Sequence, residues 1–138
     1  MEVKREGRGY LVVDEDETLG PFVSVAAAFR EVLARGGRVH LEWGRTTIGG
    51  ETRPKDFAAR FEGQNAGRIY VMGAGTSAGL WGAFPSGHNR ETSRMGGGSM
   101  IVDTRDEAIE FIERKFTELM AGVAQRPSAN DYAKAKGL

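Results

Sequence analysis

The sequence predicts an α+β fold, a two-layer domain in which an antiparallel sheet carries two principal helices on one face. Three observations predict it. Short runs rich in β-branched and aromatic residues, such as Tyr10-Leu11-Val12-Val13 and Arg68-Ile69-Tyr70-Val71-Met72, are bounded by acidic or glycine-rich turns. Two longer segments space their apolar residues for a helix, each behind a hydroxyl residue placed to cap it. The order strand, strand, helix also occurs twice along the chain.

The first predicted strand is Arg8 to Val13, closed by the solvated turn Asp14-Glu15-Asp16-Glu17. After Leu19-Gly20-Pro21 comes a short extended piece, Phe22-Val23, and then Ser24 at a helix N-cap position. Val25, Ala28, Phe29, Val32 and Leu33 form the apolar stripe of a helix lying on a sheet. Gly36-Gly37 ends that helix, because glycine enters the left-handed conformation that satisfies the last carbonyls. From Arg38 to Trp43 the chain alternates, which places Val39, Leu41 and Trp43 on one strand face and His40 with Glu42 on the other. Gly44 to Gly50 reads as a turn or hairpin, and Phe57, Ala58 and Phe61 as one helical turn before Gly63.

Arg68 to Met72 is a further strand, Leu80 to Phe84 a short one returning against Tyr70, and Met100 to Val102 another. Eight glycines between Gly73 and Gly98 mark the intervening chain as a loop. The second helix opens at Thr104-Arg105-Asp106-Glu107, a capping box in which hydroxyl and carboxylate satisfy each other's backbone amides. Its stripe runs Ala108, Ile109, Ile112, Phe116, Leu119, Met120 and Val123, with Glu110, Glu113, Arg114 and Glu118 assigned to water. The repeat aligns Arg8 to Val12, Gly20 to Phe22 and the Ser24 helix with Arg68 to Met72, Gly82 to Phe84 and the Thr104 helix. It reads as a duplicated strand–strand–helix unit sharing one sheet, or as a chance alignment of two similar stretches.

At 138 residues and 15.0 kDa the chain has the size of one domain, expected over residues 1–124, with a glycine-rich loop at 73–98 and a mobile tail at 125–138. Nineteen basic and nineteen acidic side chains cancel, so any attraction to a polyanion must come from a local patch. The absence of cysteine excludes disulfides, thiolate metal sites and thiol nucleophiles, and His40 and His88 are too few for a histidine metal cluster. No metal and no cofactor are expected. The first twenty residues resemble no signal peptide and no apolar run is long enough for a membrane span, so a cytoplasmic protein without a membrane partner is expected.

Trp43-Gly44-Arg45, followed by Gly50-Glu51-Thr52-Arg53 and preceded by an alternating strand, resembles the signature of the WGR family of DNA-associated modules. The resemblance spans about a dozen residues; Glu51 stands where the family has glutamine, and no long helix follows promptly. The resemblance implies a module that engages DNA near breaks or within larger repair proteins. Read without it, Trp43 is a core aromatic followed by a turn.

Gly73-Ala74-Gly75-Thr76-Ser77-Ala78-Gly79 follows a strand as a dinucleotide loop would, but Pro85 and Gly87 interrupt the helix such a loop must open. The segment Phe84 to Gly98 gathers His88, Arg90 and Arg94 with several hydroxyls, a composition suited to anion binding. For catalysis the inventory is thin. His88 near Ser86 or Ser93 lacks a carboxylate partner, and the acidic run 14–17 lacks calcium-loop spacing.

The leading expectation is therefore a small non-catalytic nucleic-acid-binding accessory protein. Arg45, Arg53, Arg90 and Arg94 would contact phosphates, Trp43 or Trp81 would stack on bases, and His88 would lie at the same site. The alternative is a protein-binding or inhibitor protein that uses the glycine-rich segment from Trp81 to Arg94, possible also as a homodimer.

Overall fold

Residues 1–86 and 98–123 are described by the computed structural model. The head of the chain folds into an antiparallel meander of β1 (Glu2–Glu6), β2 (Gly9–Asp14) and β3 (Glu17–Phe22), which turns Val3, Tyr10 and Val12 inward. α1 (Val25–Ala34) follows and packs on that sheet. A second antiparallel meander then runs in chain order: β4 (Glu42–Ile48), β5 (Glu51–Phe61), β6 (Gln64–Val71), β7 (Trp81–Pro85) and β8 (Met100–Val102). α2 (Arg105–Val123) closes the described chain and lies across β6, β7 and β8 while packing against α1.

The α+β class is as the sequence predicts, with each half a meander followed by a helix. The sheet is divided in two, however, into three strands and five. The two pieces meet where the Met1 N–H donates to the Arg38 carbonyl (3.2 Å) and the His40 N–H donates to the Met1 carbonyl (2.8 Å), the bonding pattern of parallel neighbours. Beyond that point β1 and β4 are not paired.

Both helix caps form. Ser24 Oγ accepts the Ala27 N–H at 3.1 Å, and Gly36 at φ +73° lets the Gly37 N–H reach the Val32 carbonyl and the Gly36 N–H the Leu33 carbonyl, a Schellman ending. At α2, Thr104 Oγ1 accepts the Glu107 N–H and donates to Glu107 Oε1, so the reciprocal bond goes to the hydroxyl instead of the cap amide. The central core is a triangle of Phe29, Phe61 and Phe116, one each from α1, β5 and α2, with ring centroids 5.3 to 5.6 Å apart.

Four local expectations are corrected. β1 is a strand although nearly all its side chains are charged and exposed; its pairing with β2, and burial of Val3 alone, suffice. Phe57, Ala58 and Phe61 belong to an eleven-residue strand, paired on both sides, in which Ala59 and Phe61 face the core; the bulge opposite Ala59 and Arg60 is an extra residue, Ala66, in β6 and leaves the alternation of β5 intact. Gly44 to Gly50 is mostly strand, and the turn is confined to Gly49 and Gly50, both at positive φ. Leu33, assigned to the buried stripe of α1, is 40% exposed.

Glu113, assigned to water, is the largest correction: it is buried and accepts hydrogen bonds from Arg38 Nε (3.0 Å), the Leu41 N–H (2.7 Å) and Trp43 Nε1 (3.1 Å). One turn later the buried Thr117 hydroxyl accepts the Val39 N–H (2.9 Å) and donates to the Glu113 carbonyl (2.7 Å). Residues 38–41 therefore belong to neither sheet, and the N–H groups of Val39 and Leu41 are satisfied by side chains of α2. Glu113→Ala leaves two buried donors and the Arg38 guanidinium without their acceptor, and is expected to destabilise the fold by about 3–5 kcal/mol in urea denaturation. Gly67→Ala, whose added Cβ would stand 2.7 Å from Ile112 Cγ2, is expected to cost about 1–3 kcal/mol by overpacking α2 against the sheet.

Candidate functional site

Strand pairing sorts the five-stranded sheet into cross-strand rows. Arg45, Phe57, Ile69, Ala83 and Met100 form one inward row, and Trp43, Ala59, Gly67 and Pro85 another, both on the side that α2 covers. Between them lie two outward rows: Asp56, Tyr70, Gly82 and Ile101, and beside these Gly44, Ala58, Arg68 and Phe84. Among the described residues no helix packs on this outward side.

Its centre is aromatic and flat. The Tyr70 and Phe84 rings stack with centroids 4.9 Å apart and planes 13° from parallel, and the Arg68 guanidinium carbon lies 4.8 Å from the Tyr70 centroid. Gly82 makes this arrangement possible. A Cβ there would come within 2.7 Å of the Phe84 ring and 2.9 Å of Met72 Sδ. Gly44 and Ala58 keep the neighbouring surface low as well.

Asp56 fixes the guanidinium. Its carboxylate takes two hydrogen bonds from Arg68, through Nε (2.9 Å) and Nη2, and one from the Thr46 hydroxyl (2.7 Å). Two of the five Arg68 N–H groups face Asp56, so the fork is oriented while donors remain. Arg53, Lys55, Asp56, Arg68 and Tyr70 line an open basin of about 430 Å³, and Arg45 and Arg60 flank a second recess above Gly44 and Ala58. Arg53, Lys55 and Arg60 are exposed beside this face, with Glu42 opposite Arg60 and Arg45 at the β4 edge, so a chain of zero net charge carries a local excess of cations here.

The residues singled out from sequence are distributed unevenly over this geometry. Arg53 lines the outward basin, whereas Arg45 is paired with Phe57 and so falls in an inward row at the β4 edge, beside the second recess. Trp43 is half-buried and held by Glu113, and Trp81 lies on the α2 side of the sheet, its ring 6.2 Å from that of Phe57. Both tryptophans are thus packing residues here. His88, Arg90 and Arg94, like the tail from 125, lie outside the described residues. Tyr70, Phe84, Arg68, Lys55 and Arg60 were not singled out, although alternation in Arg68-Ile69-Tyr70-Val71 and Trp81-Gly82-Ala83-Phe84 places Tyr70 and Phe84 on one face once Tyr70 pairs with Gly82.

No group of side chains suited to a metal ion occurs among the described residues, and none of their helices is long and apolar enough to cross a membrane. No protein-family model matches this chain, and neither does any curated protein or solved structure.

The Asp56 cluster carries a pH signature. The hydrogen bonds from Arg68 hold the Asp56 carboxyl below its ordinary range; burial opposes this and the Thr46 bond reinforces it. The folded state therefore binds this proton less readily than the unfolded chain. The stability involved is present above the unfolded value of about 3.9 and is lost as pH falls through the lowered folded value. Asp56→Asn is expected to lower Tm at neutral pH, with the gap to wild type closing as the solution is acidified past the carboxylate range. A gap that stays constant in acid would mean that the Asp56 charge contributes nothing.

Proposed function

We propose that the protein binds single-stranded nucleic acid on the outward face of its five-stranded sheet, without catalysing a reaction on it. The observation that carries this reading is the row Arg68, Tyr70 and Phe84, three flat groups stacked on a surface lowered by Gly82. Unpaired bases extend such a stack, and every base offers the same kind of face, so the binding tolerates different sequences. A duplex keeps its bases stacked on one another and has none to offer.

Phosphates follow the local excess of cations. Arg53, Lys55 and Arg60 supply the charge beside the stack, with Arg45 at the β4 edge, and the remaining donors of Arg68 supply direction. The resemblance of Trp43-Gly44-Arg45 to the WGR signature supports a nucleic-acid reading, and of the three residues Gly44 belongs to an outward row. Arg90, Arg94 and His88 extend the candidate phosphate contacts into residues 87–97.

Fluorescence anisotropy with labelled single- and double-stranded DNA and RNA across a salt series tests this. Single strands are expected to bind in about the micromolar range at low salt and more tightly than duplexes. Replacing Tyr70 and Phe84 together by alanine is expected to weaken single-strand binding at least tenfold, from about 1–3 kcal/mol per stacked base. Arg53→Ala with Lys55→Ala is expected to flatten the dependence of log affinity on log salt by about 1.4, at roughly 0.7 per phosphate contact. Failure to bind any single strand at low salt, or binding indifferent to Tyr70 and Phe84, refutes the proposal.

A further inference from the structure

The two sheets have four outer edges, and three of them are protected against pairing with another strand. β1 carries exposed Glu2, Lys4, Arg5 and Glu6 along its length. β3 contains Pro21, which has no N–H to offer, and a bulge distorts its pairing with β2. β4 carries the exposed charges of Glu42 and Arg45, and the N–H groups of Val39 and Leu41 just before it are already taken by Thr117 and Glu113.

β8 has none of these devices. It reads Met100-Ile101-Val102, with no charge, proline or glycine, and among the described residues it pairs with β7 on one side only. Met100 and Ile101 are 47% and 48% exposed, two large apolar side chains in succession on a bare edge. The other large exposed apolar residues, Val23, Leu33 and Ile48, stand singly elsewhere in the fold.

We propose that β8 is a self-association edge, pairing antiparallel with β8 of a second copy about a twofold axis through Ile101. A twofold axis makes a strand its own antiparallel partner, so the second copy brings a bare edge of matching length and polarity. The register about Ile101 sets Ile101 opposite its symmetry mate and Met100 opposite Val102, apolar against apolar. Ser99 falls opposite Asp103 and Gly98 opposite Thr104, so no like charges face each other across the flanks. Net charge adds no long-range repulsion between copies.

The result is a continuous ten-stranded sheet. The axis stands perpendicular to the sheet, so both copies keep α2 on one side and the Tyr70–Phe84 row on the other. Three paired residues bury less than a stable interface requires, which makes the dimer transient and concentration-dependent.

Sedimentation equilibrium of the full chain over a wide concentration range tests this pairing. A reversible monomer–dimer equilibrium is expected, with the dimer appearing at high micromolar concentration. Ile101→Lys sets two ammonium groups against each other at the axis and is expected to weaken the dimer at least tenfold with the circular dichroism spectrum unchanged. Ile101→Glu behaves the same way, while an equimolar mixture of the two variants recovers a dimer because lysine then faces glutamate. A chain monomeric at every concentration, a dimer indifferent to Ile101→Lys, or a mixture no more dimeric than either variant alone overturns the proposal. The first of these outcomes leaves the edge to a strand of a different protein.

Discussion

The acceptor at Glu113 is the constraint on which the rest of the molecule depends. Residues 38–41 link α1 and the three-stranded sheet to the five-stranded sheet, yet they pair in neither. Their backbone would be costly to bury without partners, and α2 supplies two: the Glu113 carboxylate for the Leu41 N–H and the Thr117 hydroxyl for the Val39 N–H. The same carboxylate holds the Trp43 indole, which starts β4 with its side chain directed inward. From Trp43 onward a period of two assigns each residue of β4 to a face until the bulge near Thr46. The outward position of Gly44 is therefore set by a bond made on the opposite side of the sheet.

Interior and surface of the five-stranded sheet use the same device, a residue too small to obstruct its neighbour. On the inward side Gly67 lets Ile112 of α2 reach the backbone of β6; on the outward side Gly82 lets the Phe84 ring lie beside Tyr70. One brings the helix down to close the core. The other lets two rings stack on a face that no helix covers among the described residues, with Asp56 holding the Arg68 fork in line. Buried Asp56 beside half-buried rings is costly for stability alone, since a carboxylate loses hydration there and is compensated by Arg68 and Thr46. The same arrangement spares an incoming base or phosphate the entropy of ordering that guanidinium.

Both helices were legible in the sequence because their signals are local: a hydroxyl cap, a stripe at helical spacing and, for α1, paired glycines beyond the end. The return of Leu80 to Phe84 against Tyr70 was legible too. What was not legible depends on contacts between distant residues. Phe57, Ala58 and Phe61 stand at i, i+1 and i+4 and so fit a helical spacing, while the competing strand period of Phe57, Ala59 and Phe61 is selected by pairing with β4 and β6. Glu113 looked solvent-facing because its neighbours are charged, whereas its acceptors are needed by a segment more than seventy residues earlier. For the candidate site, tryptophan drew the eye as the best stacking residue, and Arg45 and Arg53 were readable as exposed cations. Which aromatics stay uncovered depends on which face α2 occupies, and that is a property of the assembled sheet.

Charge neutrality then decides what kind of binding this surface can support. A strongly basic protein gathers polyanions over a distance, but with nineteen charges of each sign this chain has no long-range attraction, and its local excess of cations acts only within about a Debye length of 8–10 Å. Encounter is therefore unaided, and affinity must come from short-range contact, above all from stacking on the Tyr70 and Phe84 rings. On the proposed reading, such a surface would hold single strands with moderate affinity and little sequence selection. Joining two such surfaces multiplies their hold on one strand, because the second contact forms at the high effective concentration set by the first. If both proposals hold, a weak edge at β8 and a moderate platform at Tyr70 and Phe84 would reinforce each other: a long strand would favour the dimer, and the dimer a long strand.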